Sequence, residues 1–169
     1  AEASATRTFA AIEVVIDNTG SMEAIARDSF GNALLNEFGQ PMTKLDVTKR
    51  AAINFIRQFT PRDKIGISFY STSSAVARSI SNDYDADALV AAIRNIPQLP
   101  WATNIQLGLL TGLRDMETWL NEDGVIRGDW PNRYIVLMTD GTPNQNVPDN
   151  NQQEDLLNDW TTEDGPDDD

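Results

Sequence analysis

The sequence predicts an α/β protein: a doubly wound, mostly parallel sheet with one antiparallel edge strand. Three observations carry that expectation. The runs "AAIEVVI" at 10–16 and "RYIVLM" at 133–138 are short, aliphatic and rich in β-branched residues, as suits strands buried on both faces. Amphipathic helical segments separate them in the chain. Strands alternating with helices imply right-handed crossovers and parallel neighbours, with ligands bound at the carboxyl ends of the strands.

The elements follow in order. Residues 1–8, "AEASATRT", read as a polar lead-in, and a domain is expected over 9–160. The first strand contains one acid, Glu13, expected near its exposed start or paired. Residues 23–42 lack clean periodicity and carry two Phe-Gly pairs and a Pro, so they read as a long loop with room for a short helix. Residues 44–59 form a helix with Ala52, Phe55, Ile56 and Phe59 on one face, Thr43 as N-cap and Pro61 beyond its end. "KIGISFYST" at 64–72 and "SAVARSI" at 74–80 alternate, and a tight hairpin between them makes the second an antiparallel edge.

"DADALVAAIRNI" at 85–96 is a helix capped by Asp85; the acids Asp83, Asp85 and Asp87 suit a helix N-terminus better than a calcium loop. After the loop "PQLPWAT", residues 104–120 form a long helix with Ile105, Leu109, Leu113, Met116 and Leu120 on one side. Gly108 and Gly112, one turn apart, would let that helix approach a sheet closely. Trp101 either rims a site or packs on the sheet end; Trp119, Trp130 and Trp160 read as packing. The last strand follows at 133–138, and "QEDLLNDW" at 153–160 is a candidate short helix. Residues 161–169 are expected to be an acidic, disordered tail, the end of a stretch from 149 with nine acids and no base.

The composition excludes several function classes. With 169 residues the chain is long enough for one domain with a core. A net charge of −13, with only three lysines, argues against nucleic acid and anionic membranes. No apolar run approaches the roughly 20 residues of a membrane span. The absence of Cys and His removes thiolate and imidazole zinc sites and Cys or Ser-His-Asp nucleophile chemistry. The chain starts at Ala1 rather than Met, so an upstream segment such as a signal peptide, or a longer parent protein, is expected.

The chemistry concentrates where strands end on acids. "VVIDNTGSM" at 14–22 offers Asp17, Thr19 and Ser21 at alternate positions, and alternate side chains of a tight loop can converge on a hard cation. An Asx-type turn with Ser21 as an N-cap explains the stretch alone equally well. Two further stretches tilt the balance. "WATNIQLGL" puts Thr103 at a helix start, and "VLMTDGTPN" ends a strand on Asp140. If the two strands are parallel neighbours, Asp17 and Asp140 lie within reach of one ion.

These three stretches resemble the metal-ion-dependent adhesion site of von Willebrand factor type A domains, over about residues 9–145. "DNTGSM" is similar to the form in bacterial surface and tight-adherence pilus members. The resemblance implies that Thr19, Ser21 and Thr103 give hydroxyls to the metal, and that Asp17 and Asp140 bind directly or through water. It further implies Mg2+, with Mn2+ or Ca2+ as alternatives, and an open position for an Asp or Glu carboxylate of a partner protein. An extracellular, cell-surface or periplasmic location is expected from the missing Met and the low lysine count, with the cytosolic type A domains that serve AAA ATPase partners as the alternative. Thr19 stands where the family usually has Ser and keeps the hydroxyl. Two further strands usual in the family have no counterpart in 142–169, so the last strands are expected to be missing. An assembly partner or a later segment would then complete the sheet edge.

Two other functions remain at this stage. A strand followed by Asp-Asn-Thr-Gly also resembles the first motif of haloacid-dehalogenase-type, Mg2+-dependent phosphohydrolases. Thr19 stands where those enzymes have an acid, and none of Lys44, Lys49 and Lys64 reads as close to the strand ends. A type A fold used only as a structural unit in a surface assembly is the third reading.

Overall fold

The computed structural model describes residues 9–140, except Trp101, Asp123 and Pro131. Among the described residues there are four strands: β1 (Ala10–Asp17), β2 (Lys64–Tyr70), β3 (Ser74–Arg78) and β4 (Asn132–Met138). They make one sheet in the order β3-β2-β1-β4. β1 runs parallel to both β2 and β4, and β3 is the antiparallel edge. The chain passes from β1 to one side for β2 and later returns to the other side for β4. The winding therefore reverses at β1, and a crevice opens there at the carboxyl ends of β1 and β4.

Among the described residues three α-helices cover the faces: α1 (Lys44–Ile56), α2 (Ala86–Arg94) and α3 (Ile105–Leu120). α1 stops at Ile56, before the expected Phe59. Its start is set as the sequence indicates, since Thr43 and Asp46 form a reciprocal capping box. Asp85 caps α2 by accepting from Ala88 N at 2.9 Å. The alternation of β1 divides the core. Ala10, Ile12, Val14 and Ile16 pack with Leu45, Ala52 and Ile56 of α1 and Leu89 and Ile93 of α2. Ala11 packs on the other face with Ile80 and with Met116, Trp119 and Leu120 of α3. Among the described residues no helix is long and apolar enough to cross a membrane.

Several expectations change. Residues 24–43 contain no helix; they form two tight turns joined by β-bridges, Arg27 with Ala33 and Leu35 with Pro41. A single 3-10 turn, Gly20–Glu23, precedes them. The inward face of α3 coincides only in part with the apolar stripe: Met116 and Leu120 are buried as expected, Gly108, Gly112, Asp115 and Trp119 are buried beside them, and Leu109 is 36% exposed. Close approach decides this, as a Cβ on Gly112 would meet Glu13 Cγ and Val15 Cγ2 at 2.8 Å. β4 is half-buried rather than buried, with Tyr134 exposed. The stretch from 141 onward, with the "QEDLLNDW" segment and the acidic tail, lies outside the described residues, as does Trp101.

Glu13 is fully buried, not near an exposed start. Ser68 Oγ donates to its Oε1. Its Oε2 and Asp115 Oδ2 both crowd the space a Gly66 Cβ would fill, and Asp115 Oδ2 accepts from Ile80 N at 2.8 Å. Burial first, and the Asp115 charge second, hold the Glu13 carboxyl well above its ordinary 4.5, against the lowering bond from Ser68. The folded chain thus keeps a proton that the unfolded chain releases. Its stabilising effect is full below the unfolded value and is lost as pH rises through the raised folded one. Glu13→Gln keeps an acceptor for Ser68 and supplies a fixed donor towards Asp115. The variant is expected to melt higher than wild type at about pH 8, with the gap closing towards about pH 5. Parallel melting curves for the two proteins across that range would exclude a protonated Glu13.

Candidate metal centre

The site grows from the carboxyl ends of β1 and β4. Ile16 pairs with Met138, so Asp17 and Thr139 leave the sheet side by side. Asp17 is fully buried and accepts from three donors. Its Oδ1 accepts from Thr19 N at 2.9 Å, which folds the chain into an Asx-type turn. Its Oδ2 accepts from Thr139 Oγ1 at 2.7 Å and from Tyr70 OH at 3.3 Å. Burial pushes the Tyr70 phenol far up, and the Asp17 charge adds to the shift, so Tyr70 stays a donor.

Above Asp17 lies a line of oxygens. Thr103 Oγ1 donates to Thr19 Oγ1 at 3.2 Å, Thr19 and Ser21 hydroxyls lie 3.1 Å apart, and Ser21 Oγ donates to Asp140 Oδ1 at 2.9 Å. A hydroxyl has one proton. Ser21 gives its proton to Asp140, so Thr19 is the donor to Ser21, and the line runs one way from Thr103 to the carboxylate. All five residues singled out in the sequence are therefore brought together, Asp17 through the backbone of Thr19 and the other four through side chains.

The second loop is tied down onto the first. Gln98 Nε2 donates to Thr19 O at 2.6 Å, Leu99 N to Asn18 O at 3.0 Å, and Asn18 Nδ2 to Pro97 O at 2.9 Å. Asn104 N donates to Ser71 O at 3.0 Å at the end of β2, and Asn104 also caps α3 through Leu107 N. Thr103 is thus set by three elements. Buried Ser71 Oγ, Asn18 Oδ1 and Gln98 Oε1 lack protein partners among the described residues.

Sequence reading missed three neighbours. Lys44 does reach the strand ends: its Nζ pairs with Asp140 Oδ2 at 2.5 Å. The signal was its place in the first turn of a helix that begins at the sheet's carboxyl edge. Tyr70 is the register partner of Asp17 on β2. Thr139 was in the quoted motif, but only strand pairing directs its hydroxyl to Asp17. Among the described residues no three carboxylates come together. The donor set is two carboxylates and three hydroxyls, all hard oxygens, which is the ligand chemistry of Mg2+ and similar cations.

The family profile of the von Willebrand factor type A domain matches residues 12–142. No curated protein gives a significant match. Among solved structures, the chain is similar to the PilB minor pilin of Streptococcus sanguinis, at 21% identity and a TM-score of 0.59, over 83% of this chain and 31% of that one. It is also similar to proximal thread matrix protein 1 of the mussel byssus, described with a zinc-occupied MIDAS motif, at 18% identity and 0.58, over 89% and 36%. A third is the von Willebrand domain of the pilus tip protein Mfa5 of Porphyromonas gingivalis, at 18% and 0.51, over 81% and 39%. In each case the chain spans well under two thirds of the matching protein.

Proposed function

We propose a function from one premise: the chain belongs to the von Willebrand factor type A domain family. It is a non-enzymatic binding module that holds Mg2+ with Asp17, Thr19, Ser21, Thr103 and Asp140 and captures an Asp or Glu carboxylate of a partner protein. Its setting is a cell surface, pilus or periplasmic assembly, in line with the pilin and pilus-tip neighbours.

The observation that carries this reading is the spacing of the oxygen line. Cis ligands of an octahedral Mg2+ at 2.0–2.1 Å stand about 2.9 Å apart, whereas Ca2+ ligands would stand roughly 3.3 Å apart or more. The successive separations of 3.2, 3.1 and 2.9 Å fall in the range of neighbouring oxygen ligands on one such hard cation. The Lys44 ammonium already brings a positive charge to Asp140. Mg2+ would compete with it for that carboxylate. Few formal charges among the ligands leave the ion electrophilic towards an incoming carboxylate.

The test is thermal melting with and without Mg2+. At a free metal concentration of 100 Kd, wild type is expected to gain about 2.7 kcal/mol, roughly 5–10 °C in Tm. Ser21 is exposed, so Ser21→Ala should fold normally and lose most of that gain. Lys44→Ala should bind Mg2+ roughly two- to five-fold tighter by removing the competitor. A wild-type curve unmoved by Mg2+ or Mn2+ would sink the metal reading, and partner binding that survives EDTA would favour a purely structural role.

One observation favours a second reading. Lys44 beside Asp140 supplies a cation of the kind a phosphate site needs. Thr19 still provides no carboxyl for proton transfer at the second position. Turnover of p-nitrophenyl phosphate that disappears in Asp17→Asn would establish a phosphohydrolase; none is expected.

A further inference from the structure

Lys44 breaks a local rule. It is the first residue of α1, where the positive end of the helix dipole disfavours a cation. The chain has only three lysines. Lys49 donates to the carbonyls of Arg94 and Ile96, and Lys64 to those of Pro61 and Asn82. Among the described residues only Lys44 of the three is paired with a carboxylate, its Nζ lying 2.5 Å from Asp140 Oδ2. A residue that conflicts with its own helix and reaches a candidate site instead marks a functional position.

The surroundings fix the backbone of Lys44 and leave its side chain free to turn. Its N–H donates to Ala24 O at 2.9 Å. The capping box holds the residue before it, with Thr43 N on Asp46 Oδ2 at 2.9 Å and Asp46 N on Thr43 Oγ1 at 3.1 Å. The Lys44 side chain is 40% exposed, against 14% for Asp140, and a flexible four-carbon stem can re-aim the ammonium. Asp140 is divided between two partners: Oδ1 accepts from Ser21, at the end of the oxygen line, and Oδ2 accepts from Lys44. Lys44 is therefore one bond removed from the oxygen line and more exposed than the acid it holds.

We propose that Lys44 is a specificity residue for the incoming carboxylate: it gives up Asp140 when that acid enters the metal site, and its freed ammonium takes the second oxygen of the partner's Asp or Glu. The inference rests on the metal-site reading and deepens it. A carboxylate that gives one oxygen to the ion keeps another that needs donors. Neighbouring ligands of a small hard cation stand about 2.9 Å apart, so an oxygen arriving beside Asp140 comes within reach of an ammonium already bonded to Asp140. The net charge of −13 repels an acidic ligand from a distance, and salt screens that repulsion. A cation at the point of contact opposes it where the ligand lands. Because one charge-assisted bond of Lys44 is exchanged for another, metal binding and carboxylate binding strengthen each other.

The test measures Mg2+ affinity at neutral pH by calorimetry and by the shift in Tm, using acetate as the probe. Wild type, Lys44→Met and Lys44→Arg are compared in sodium acetate and in sodium chloride of equal ionic strength, at matched free Mg2+. Wild type is expected to bind Mg2+ about three-fold or more tightly in acetate than in chloride. Lys44→Met should bind Mg2+ roughly two- to five-fold tighter than wild type in chloride and gain almost nothing from acetate. Lys44→Arg keeps the charge and should keep the acetate effect, which separates loss of the cation from damage to the start of α1. Acetamide, which lacks the second anionic oxygen, should leave all three proteins unchanged. An equal acetate effect in wild type and Lys44→Met overturns the inference, as does no acetate effect in wild type; in both cases a retained Mg2+ shift leaves the metal reading standing. Weaker Mg2+ binding by Lys44→Met in chloride also overturns it, since Lys44 would then support the site rather than compete for Asp140. No response to Mg2+ in any protein or salt overturns the inference and the metal reading together.

Discussion

Asp17→Ala is expected to cost on the order of 3–5 kcal/mol, a large part of a domain's stability, and to abolish any response to Mg2+. The cost comes from the partners left behind. Thr19 N, Thr139 Oγ1 and Tyr70 OH all donate to a carboxylate that is fully buried. Truncation takes the carboxylate away from all three donors and uncouples the β1 loop from both neighbouring strands. Asp17→Asn is the informative companion, because unfolding and a missing ligand abolish the Mg2+ response of the alanine variant alike. An amide can keep its oxygen on Thr19 N and turn its NH2 to the two hydroxyls, which can rotate to accept. That variant should lose only about 1 kcal/mol and fold. With the charge gone, its Mg2+-induced shift should still vanish. Urea denaturation of both variants, with melts in Mg2+ and EDTA, checks each part. An alanine variant as stable as wild type would mean the network does not hold the loops, and an intact Mg2+ shift in Asp17→Asn would remove Asp17 from the metal site.

Much of this arrangement was legible in the sequence because its signals are local. A strand running into Asp17, hydroxyls at alternate positions and a helix start at Thr103 need only short-range rules. The capping box of Thr43 and Asp46 is likewise four residues long. What failed to show depends on what lies opposite. The Glu13 carboxyl is explained by Ser68 and Asp115, which are 55 and about 100 residues away in the chain. Lys44 belongs to the site because α1 begins over the crevice, and periodicity only said which residues share its faces. The segment 24–43 looked irregular because its order comes from side-chain-to-backbone bonds within turns, which have no hydrophobic period.

Gly108→Ala is the second large effect, and here intrinsic propensity and packing predict opposite signs. In an exposed helix, alanine in place of glycine would stabilise by about 1 kcal/mol. In α3 the new Cβ would stand 2.5 Å from Tyr70 Cδ1 and 2.6 Å from Cγ, and the ring is fully buried. Overpacking of this kind costs about 1–3 kcal/mol beyond the propensity gain. The displaced parts are the site itself: Tyr70 donates to Asp17, and α3 begins one residue after Asn104, next to Thr103. Gly108→Ala should therefore lower Tm and also weaken Mg2+ binding by about ten-fold or more, as a small misplacement of ligands does in a rigid site. Gly112→Ala is the control. Its Cβ would press on Glu13 Cγ and Val15 Cγ2 at 2.8 Å, further down the sheet, so it should destabilise while leaving the Mg2+ affinity of the folded protein close to wild type. Titration calorimetry below the melting range separates the two outcomes. A Gly108→Ala protein that melts higher than wild type would mean that α3 does not sit on Tyr70. Equal loss of affinity in both variants would mean that the helix moves as one rigid piece and that Tyr70 has no particular part in holding Asp17.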